Sequence, residues 1–530
     1  MSRPIRRSLA AALLLLSLVP SLWFLIANRD LPHFGLLMDD ALYLSGARSL
    51  AQGRGYRIGV LPGGPPQTKH PPALAWLISP IWRAAPSVDT AVPIAVLLLW
   101  ICMGAWIFLS PGVFGQLGLS PPQALALAAI VAINPYVVFL STCLLAEMPM
   151  LALLWLSMTF AAAAARRASR PLALASGLAA GLAFLFRTAA LPILPALVIW
   201  FLLRRRRALA LIALAAAIPF VAGWLSWRSL HRPASATPQL VFYLDYTRHW
   251  LNHIAETGPW ALVQANLNSL VLPLGKLLWF DTGALPALVY ARTALLVASL
   301  AGSFALLKNG ISLLHLFTCG YAALILTWNF TPDERLALPL LPLLAAGACE
   351  AGSRVLKDAR CFLMRSALTH KAAGAALVLV LASTLILVLA MSFDGLTHQM
   401  VSIPARERLR HAQLAPVLAY ARQHLPSGEP ILAFQEGRTS FQTGHPSIGL
   451  PLPTAIGYEH SEARVMNYFL DWPSVLRAHR VRYILLTPWD FELDLSPAQI
   501  RRYHQSVLGH PAVTVLHRSG SVLLVEFAPA

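Results

Sequence analysis

Charged residues are scarce in this sequence. Only 12% of the 530 residues are Asp, Glu, Lys or Arg, and the acids, 23 in all, are fewer than the 41 bases. A soluble domain has about 25% charged residues, so this chain cannot cover the surface of several soluble domains. A disordered chain is excluded as well, because it needs low hydrophobicity and 57% of these residues are hydrophobic. The composition therefore predicts a polytopic membrane protein.

Cysteine is also scarce, and its pattern is uninformative. No pair among the five cysteines has Cys-x-x-Cys spacing, so neither a zinc site nor a disulfide framework is indicated. We expect the cysteines to be small apolar residues packed among helices. They are Cys102, Cys143, Cys319, Cys349 and Cys361.

Long apolar runs are abundant. A helix needs about 20 apolar residues to cross the hydrocarbon core of a bilayer, and the sequence predicts about eleven such spans. We interpret the first as an uncleaved anchor rather than a signal peptide, because no clear cleavage site follows it. A further apolar stretch, 267–280, is interrupted by Pro273 and Lys276, so we expect it to be interfacial or re-entrant rather than a twelfth span. The spans are 9–27, 91–109, 124–140, 144–165, 171–186, 189–203, 208–227, 286–307, 311–328, 336–349 and 372–391.

Lys and Arg are distributed unevenly between alternate loops. If the N-terminus is cytoplasmic, the inner loops carry sixteen Lys and Arg but only two acids, Glu350 and Asp358. This is the positive-inside pattern, and it accounts for most of the net charge of +18 without a nucleic-acid partner. An odd number of spans then places everything after residue 392 outside.

The outer side carries two long loops and a tail of different composition. The loops, 28–90 and about 228–285, are too long to be simple connections and contain amphipathic pieces rich in Trp and Tyr, which suit interfacial helices. We predict a transmembrane domain over 1–392 and a soluble extracytoplasmic α/β domain over 393–530. In the tail the patterns predict helices at 414–425, 472–479 and 497–508, strands at 430–434 and 483–487, and a hairpin of 513–517 with 521–527.

Two adjacent carboxylates, Asp39 and Asp40, lie in the first outer loop shortly after the first span. They suit a general base or metal ligands at the membrane face. They also suit the first turn of a helix, because the helix dipole favours acids there and residues 41–50 favour a helix. Spacing alone leaves both interpretations open.

Lys69 and His70 follow a Gly- and Pro-rich turn in the same loop. The Lys69 ammonium is a point charge that could bind a phosphate. A single cation at the membrane face could equally extend its head into water with no functional role.

Three further charged residues are predicted where spans meet the outer face. Glu147 lies in a very short loop between the third and fourth spans, Arg187 ends the fifth span, and Arg335 begins the tenth. A carboxylate in apolar surroundings is costly, which makes Glu147 a functional candidate. Cations at this boundary suit the phosphate of a lipid whose tail lies in the bilayer.

A weaker pattern occurs in the second outer loop. His249 and His253 are four residues apart, with Glu256 nearby, which is a spacing found in metal pairs. Without a His-Glu-x-x-His context, a polar face of an interfacial helix is the favoured interpretation.

Five motifs on the outer side resemble those of GT-C glycosyltransferases. The similarity is to the branch of protein O-mannosyltransferases and aminoarabinose transferases, which use polyprenyl-phosphate-linked sugars. It covers about residues 30–345 and the odd-span topology with an outer tail. The motifs are Asp39-Asp40-x-x-Tyr43 with Gly53-Arg54-Gly55-Tyr56, Lys69-His70-Pro71-Pro72, the acidic segment 145–149, the Gly-rich span 177–188 ending in Arg187-Thr188, and the segment 334–339 that begins Glu334-Arg335.

The resemblance implies a role for each matching residue. Asp39 would be the general base that deprotonates the acceptor, and Asp40, which stands where many members have Glu, would be its catalytic neighbour. Tyr43 and His70 would contact substrate, and Glu147 would position substrate or a metal. The residues implied to hold the lipid phosphate are Lys69, Arg187 and Arg335. One departure is Leu336, where many relatives have Tyr.

The predicted function is therefore glycosyl transfer, with inversion, from a polyprenyl-phosphate donor to an extracytoplasmic lipid, glycan or protein. The predicted location is the inner (plasma) membrane. Whether the reaction uses a divalent metal ion is left open by the sequence. A transporter or flippase of a lipid-linked glycan is the alternative, although transporters place charges near the bilayer midplane and this chain places them at one face. A non-catalytic scaffold would have no reason to gather these charges.

Overall fold

The computed structural model describes residues 3–233, 237–280, 288–364, 368–459 and 461–528. Its first half is helical. The helices are α1 (Arg3–Ser17), α2 (Val19–Ala27), α3 (Asp39–Ala51), α4 (Ala73–Ala84), α5 (Val88–Gly115), α6 (Pro121–Ala132), α7 (Pro135–Leu140), α8 (Glu147–Arg167), α9 (Arg170–Phe186), α10 (Ile193–Leu203) and α11 (Arg207–His231).

The helical part continues through the second long loop to the end of the last apolar run. The predicted amphipathic pieces of that loop are the helices α12 to α14. The elements are α12 (Pro238–Leu244), α13 (Tyr246–Thr257), α14 (Pro259–Leu278), α15 (Leu288–Ala305), α16 (Leu313–Leu326), α17 (Glu334–Ala337), α18 (Leu341–Leu363) and α19 (Leu368–Asp394). The start of the predicted span 286–307 and the inner-loop residue Arg365 lie outside the described residues.

Seven of the described helices are long and apolar enough to cross a membrane. Four shorter apolar helices, of 10–17 residues, coincide with other predicted spans. The polytopic helical membrane architecture is thus confirmed, and the count of about eleven spans stays a prediction. The seven are Ser8–Ala27, Val88–Gly115, Glu147–Arg167, Arg207–His231, Leu288–Asn309, Glu334–Leu363 and Thr369–His424, and the shorter four are Pro121–Ala132, Arg170–Phe186, Thr188–Leu203 and Leu313–Leu326.

One local prediction is wrong. The predicted span 124–140 is two helices, because α6 ends at Ala132 and Asn134 caps α7 by accepting from the backbone of Tyr136 and Val137. Most of the apolar stretch 267–280 belongs to α14, which runs through Pro273 without interruption, and its interfacial or re-entrant placement stays a prediction. Pro273 is buried, and packing by neighbouring helices makes a proline tolerable inside a membrane helix.

Small residues set the closest helix contacts. A Cβ on Gly177 of α9 would lie 2.0 Å from the carbonyl oxygen of Ala213 in α11, and one on Gly347 of α18 would lie 2.0 Å from that of Ser299 in α15. Backbones approach this closely only where side chains are small. These glycines therefore let α9 pack closely on α11 and α18 on α15.

The tail forms a five-stranded sheet flanked by helices, as the α/β prediction requires. Its strand order is β2-β1-β3-β5-β4, with β1 parallel to β2 and β3, and β5 antiparallel to β3 and β4. The helices predicted at 472–479 and 497–508 and the C-terminal hairpin are confirmed. The elements are α20 (Met400–His424), β1 (Ile431–Leu432), α21 (Glu436–Thr443), β2 (Ser447–Ile448), α22 (Thr454–Tyr458), α23 (Glu462–Leu470), α24 (Trp472–His479), β3 (Tyr483–Leu486), α25 (Pro497–Leu508), β4 (Val513–Ser519) and β5 (Val522–Phe527).

The tail packs on the first outer loop rather than standing apart from it. One hydrophobic cluster joins Leu42 and Ile58 of that loop to Phe469 and Trp472 of the tail. The backbone amide of Ser447 also donates to the carbonyl of Val60 at 2.7 Å. Helical structure runs continuously from the last apolar run into the tail, through α19, a π-helical segment over Gly395–Gln399, and α20. The predicted domain boundary at 392/393 therefore falls inside this long helix.

Candidate active site

Asp39 and Asp40 form the first turn of α3. The chain enters the helix through a tight segment in which Gly35 and Met38 have positive φ angles of 88° and 51°. Acids in a first turn are stabilised by the helix dipole, so the helix-start interpretation is correct. It does not exclude a function, because the two carboxylates point to different surroundings.

The Asp39 carboxylate contacts two basic side chains. Arg335 donates from Nη2 to Oδ2 at 2.7 Å, and the His70 ring nitrogen Nε2 lies 3.3 Å from Oδ1. Burial acts to raise the pKa of Asp39, but Arg335, His70 and Lys69 together hold it well below its usual range. Burial conversely lowers the pKa of His70, so Asp39 is charged and His70 neutral near pH 7.

Glu147 is the first residue of α8 and is almost fully buried, with 1% of its surface exposed. Its Oε1 accepts from both Arg187 and Arg335. Arg335 therefore lies between two acids, Asp39 and Glu147. This connected group of two acids and two arginines brings together the starts of α3, α8 and α17 and the end of α9.

Asp40 is separate from this group. Its carboxylate accepts from the backbone amides of Gly35 at 2.8 Å and Ala41 at 2.6 Å. Burial raises the pKa of Asp40 to about 6, although those two amides oppose the shift. These contacts stabilise the backbone at the start of α3. The catalytic role of Asp40 therefore stays a prediction, and a purely structural role is the alternative.

Lys69 lies beside Asp39 inside a group of aromatic rings. Its Nζ is 4.1 Å from the ring centre of Phe242, 5.2 Å from that of Tyr246 and 5.8 Å from that of Phe330. Burial lowers the pKa of Lys69, and Asp39 opposes the shift. A cation held by aromatic rings rather than by a direct ion pair keeps its ammonium hydrogens available for an anion.

Tyr43 is buried one turn after Asp39. Its ring centre lies 4.8 Å from that of His70, and the Tyr43 ring lines the same cavity as Lys69 and Arg187. Burial raises the pKa of Tyr43 far from neutrality, so it can act only as a neutral hydroxyl.

A cavity of about 460 Å³ lies between part of this charged group and the tail. The membrane-domain wall includes Asp39, Lys69, Arg187 and Arg335, and the opposite wall includes tail residues 434–437 and 493–494. The residues that the sequence predicted therefore lie on one wall of this cavity. The other wall was missed because these tail residues carry no motif and reach the cavity only through the packing of the tail.

Glu436 is the most chemically informative of the cavity residues that the sequence did not predict. It is buried at the start of α21, and its Oε1 accepts from the Tyr243 hydroxyl at 2.9 Å. Burial raises the pKa of Glu436 to about 7, with Tyr243 and Lys69 opposing the shift. Its carboxyl group therefore titrates near neutral pH beside the cavity.

An apolar cavity of about 610 Å³ lies next to His70. Tyr56, which lines it, donates to the carbonyl of His70 at 2.9 Å, and Trp227, which also lines it, donates to the carbonyl of Gln67 at 2.9 Å. The other lining residues include Pro72, Trp76, Phe220 and Trp224. An apolar space thus begins within a few residues of Lys69.

The side chains of this site suit an anion better than a metal ion. Among the described residues no three His, Cys, Asp or Glu side chains come together as a metal site, and this includes His249, His253 and Glu256. Asp39 and Glu147 each bind a guanidinium, whose positive charge opposes a cation at the same oxygens.

The described cysteines are free, with Cys143 buried and Cys319 and Cys361 exposed. The expectation that all of them pack among helices therefore holds only in part.

Comparison with known proteins identifies the fold. The crystal structure of ArnT from Cupriavidus metallidurans bound to undecaprenyl phosphate matches 95% of this chain and 97% of its own, with a TM-score of 0.52 and 14% sequence identity. The apo ArnT structure matches 92% of this chain and 93% of its own, with a TM-score of 0.51 and 14% identity. No protein-family model and no curated protein matches the sequence.

ArnT is an aminoarabinose transferase of the GT-C type. The match extends over the membrane helices and the tail together, and the motifs in residues 30–345 resemble the same group. The chain therefore has the ArnT-like GT-C fold.

Proposed function

We propose that this protein is a membrane glycosyltransferase that moves a sugar from a polyprenyl-phosphate donor to an acceptor oxygen with inversion. The carrying observation is the group formed by Asp39, Glu147, Arg187 and Arg335, with Lys69 beside it. All of these except Glu147 line one wall of a single cavity. A base and a set of phosphate-binding cations in one cavity are what this reaction needs.

Lys69, Arg187 and Arg335 are proposed to bind the donor phosphate. Three cations face two acids here, Asp39 and Glu147, and His70 is neutral, so the group has a net positive charge. The neighbouring apolar cavity suits the first isoprene units of the donor, because it begins at the His70 backbone. The ArnT neighbour that was crystallised with undecaprenyl phosphate supports this class of ligand.

Asp39 is proposed to act as the general base. The acceptor hydroxyl gives its proton to the Asp39 carboxylate as its oxygen forms a bond to the anomeric carbon. The bond from that carbon to the phosphate oxygen breaks on the opposite face, and polyprenyl phosphate leaves with the bonding electrons. Arg187, Arg335 and Lys69 stabilise the charge that develops on the leaving phosphate.

The contact between Asp39 and Arg335 suggests an order of events. While Arg335 binds Asp39, the carboxylate is a weak base, because its pKa is held low. A donor phosphate competes for the same guanidinium hydrogens. Its binding would weaken the Arg335 contact and raise the basicity of Asp39 when a sugar is in place.

The proposed location is the inner membrane, with the N-terminus cytoplasmic and the site outside. The positive-inside pattern supports this orientation. The packing of the tail on the first outer loop is consistent with it, since both line one cavity and must lie on the same side.

The test is to replace Asp39 by Asn, which keeps the size of the side chain and removes the base. Transfer should fall by 10²–10⁴-fold or more, the usual contribution of general acid–base catalysis, while the protein is still expressed and folded. Mass spectrometry of envelope glycans, glycolipids and proteins would compare a deletion strain, an Asp39→Asn strain and the wild type. An active Asp39→Asn protein would refute the assignment.

The alternative from the sequence, a transporter or flippase of a lipid-linked glycan, has less support. The charged group lies at helix ends, with Glu147 starting α8 and Arg187 following α9, whereas transporters bind substrate near the bilayer midplane. A deletion strain in which a lipid-linked glycan accumulates inside, with no sugar missing from any mature product made outside, would favour the transporter.

A further inference from the structure

A second polar groove, separate from the cavity that holds Asp39, lies between α13 and the tail. It has a volume of about 260 Å³. Five polar residues of α13 line one side and a short segment of the tail lines the other. We call it the α13 groove, and its residues are Arg248, His249, Asn252, His253 and Glu256 on α13, Pro451, Pro453, Thr454, Ala455 and Tyr468 on the tail, and Val241 and Phe242 on α12.

The α13 side is a helical stripe of hydrogen-bonding groups. Arg248, Asn252 and Glu256 follow one another at intervals of four residues, so they lie on one face, and all three are exposed. Their side chains make no hydrogen bond or ion pair with other described residues. These three side chains are therefore available to a ligand in the groove, because no contact within the described fold uses them.

His253 supplies a second observation. Only 2% of its surface is exposed, and its Nε2 has no hydrogen-bond partner among the described residues, although it lines the groove. A buried ring nitrogen without a partner costs free energy. A ligand hydroxyl in the groove would supply the missing hydrogen bond.

The chemistry of the α13 groove favours a neutral polyol. A guanidinium and a carboxylate of opposite charge stand beside an amide and two imidazoles, so the groove has donors and acceptors but little net charge. Sugar hydroxyls both donate and accept. The prolines of the tail and the ring of Phe242 add apolar surface for the carbon–hydrogen faces of a sugar ring.

The α13 groove adjoins the cavity that holds Asp39. Phe242 and Thr454 line both. The Phe242 ring lies between Lys69, whose Nζ is 4.1 Å from its centre, and His249, whose ring centre is 5.9 Å away. A molecule whose reactive oxygen reaches Asp39 can therefore extend past one aromatic ring into the groove.

We propose that the α13 groove binds the carbohydrate part of the acceptor, so that the acceptor is a glycan or the glycan headgroup of a lipid. This inference rests on the proposed function. The donor is bound by its phosphate at Lys69, Arg187 and Arg335, on the other side of Phe242, which leaves the groove for the acceptor. A protein acceptor, which would present a hydroxyl on a peptide, is the competing outcome.

The experiment uses the deletion strain as the source of the probe, because unmodified acceptor accumulates there. Its envelope is separated into delipidated glycan, lipid and protein fractions, and the fraction that lacks the sugar present in the wild type identifies the acceptor class. The unmodified glycan or glycolipid from that fraction is then titrated, without donor, against the full chain in lipid nanodiscs.

Asn252→Ala and Glu256→Gln should each weaken binding of this probe by about 2- to 10-fold, the range expected for one lost hydrogen bond. Steady-state kinetics should show the change in the acceptor KM, with the donor KM unchanged. Asn268→Ala is the matched control, since Asn268 is exposed on the adjacent helix α14 and lines neither cavity. It should bind the probe as the wild type does.

The outcomes separate the two claims. If sugar is missing only from the protein fraction of both the deletion and the Asp39→Asn strains, the glycosyltransferase stands and the α13 groove proposal is wrong. If the glycan or lipid fraction is affected but Asn252→Ala and Glu256→Gln bind like Asn268→Ala, the groove assignment is also wrong. If no fraction changes in either strain, the proposed function fails, and the groove proposal fails with it.

Discussion

Glu147 makes a sharp test of the charge arrangement, because one buried carboxylate oxygen accepts from two arginines. Replacing Glu147 by Gln keeps its size and removes its charge. Arg187 and Arg335, whose side chains are 17% and 14% exposed, would then face each other with no anion between them. Removing one partner of a buried ion pair costs about 3–5 kcal/mol, so we expect Glu147→Gln to unfold at a clearly lower temperature than wild type.

The same variant should respond more strongly to a phosphate ligand. In the wild type, phosphate joins a group that already contains two acids, whereas in Glu147→Gln it would replace a missing negative charge. Undecaprenyl phosphate added to the nanodiscs should therefore raise the unfolding temperature of Glu147→Gln more than that of wild type. Undecaprenol, which lacks the phosphate, should not distinguish the two proteins.

Glu459→Gln is the matched control. Glu459 pairs with Arg464 on the surface, where the two side chains are 41% and 59% exposed, and such pairs contribute about 0–1 kcal/mol. Its unfolding temperature should stay near that of wild type, and undecaprenyl phosphate should stabilise both proteins equally. The reasoning is refuted if Glu147→Gln is as stable as Glu459→Gln, or if undecaprenyl phosphate stabilises Glu147→Gln no more than wild type.

Two further predictions concern the cavity. Arg335→Ala should raise the donor KM more than the acceptor KM in steady-state kinetics, and a change confined to the acceptor would contradict the phosphate role. Glu436 has a pKa of about 7 in the folded protein, against an ordinary value of 4.5, so its contribution should destabilise the fold as pH rises from about 4.5 to 7 and should level off above 7. Unfolding temperatures measured from pH 4.5 to 8 should therefore depend less on pH in Glu436→Gln than in wild type. If the two curves of unfolding temperature against pH are parallel, Glu436 does not titrate in this range.

The sequence was most informative where a local pattern decides the structure. The helices 472–479 and 497–508 were predicted with the bounds that the structure has, because capping residues and apolar spacing act over a few residues. Apolar runs likewise revealed membrane helices. The break before Pro135 was missed, since a proline ends a helix or is tolerated in it, as Pro273 is in α14, according to what surrounds it.

The candidate residues were recognised from their types and their positions at the ends of apolar runs. Asp39, Lys69, Glu147, Arg187 and Arg335 all stood out as charges next to a hydrocarbon boundary, and the structure brings them together. Their pairing was not predictable from the sequence, because 296 positions separate Asp39 from Arg335. Nor was the separation of Asp40 from Asp39, which depends on the backbone amides that surround Asp40.

By itself, the sequence determined that the chain is a polytopic membrane protein and which motif group it resembles, and it predicted that the candidate charged residues lie at one membrane face. These properties follow from composition and from short-range patterns that need no knowledge of the packing. Only the tertiary structure decided that Arg335 lies between two acids, that Lys69 is held by aromatic rings, and that the tail forms the opposite wall of the cavity. Those features depend on contacts between distant segments, and such contacts are set by how helices and domains pack in three dimensions.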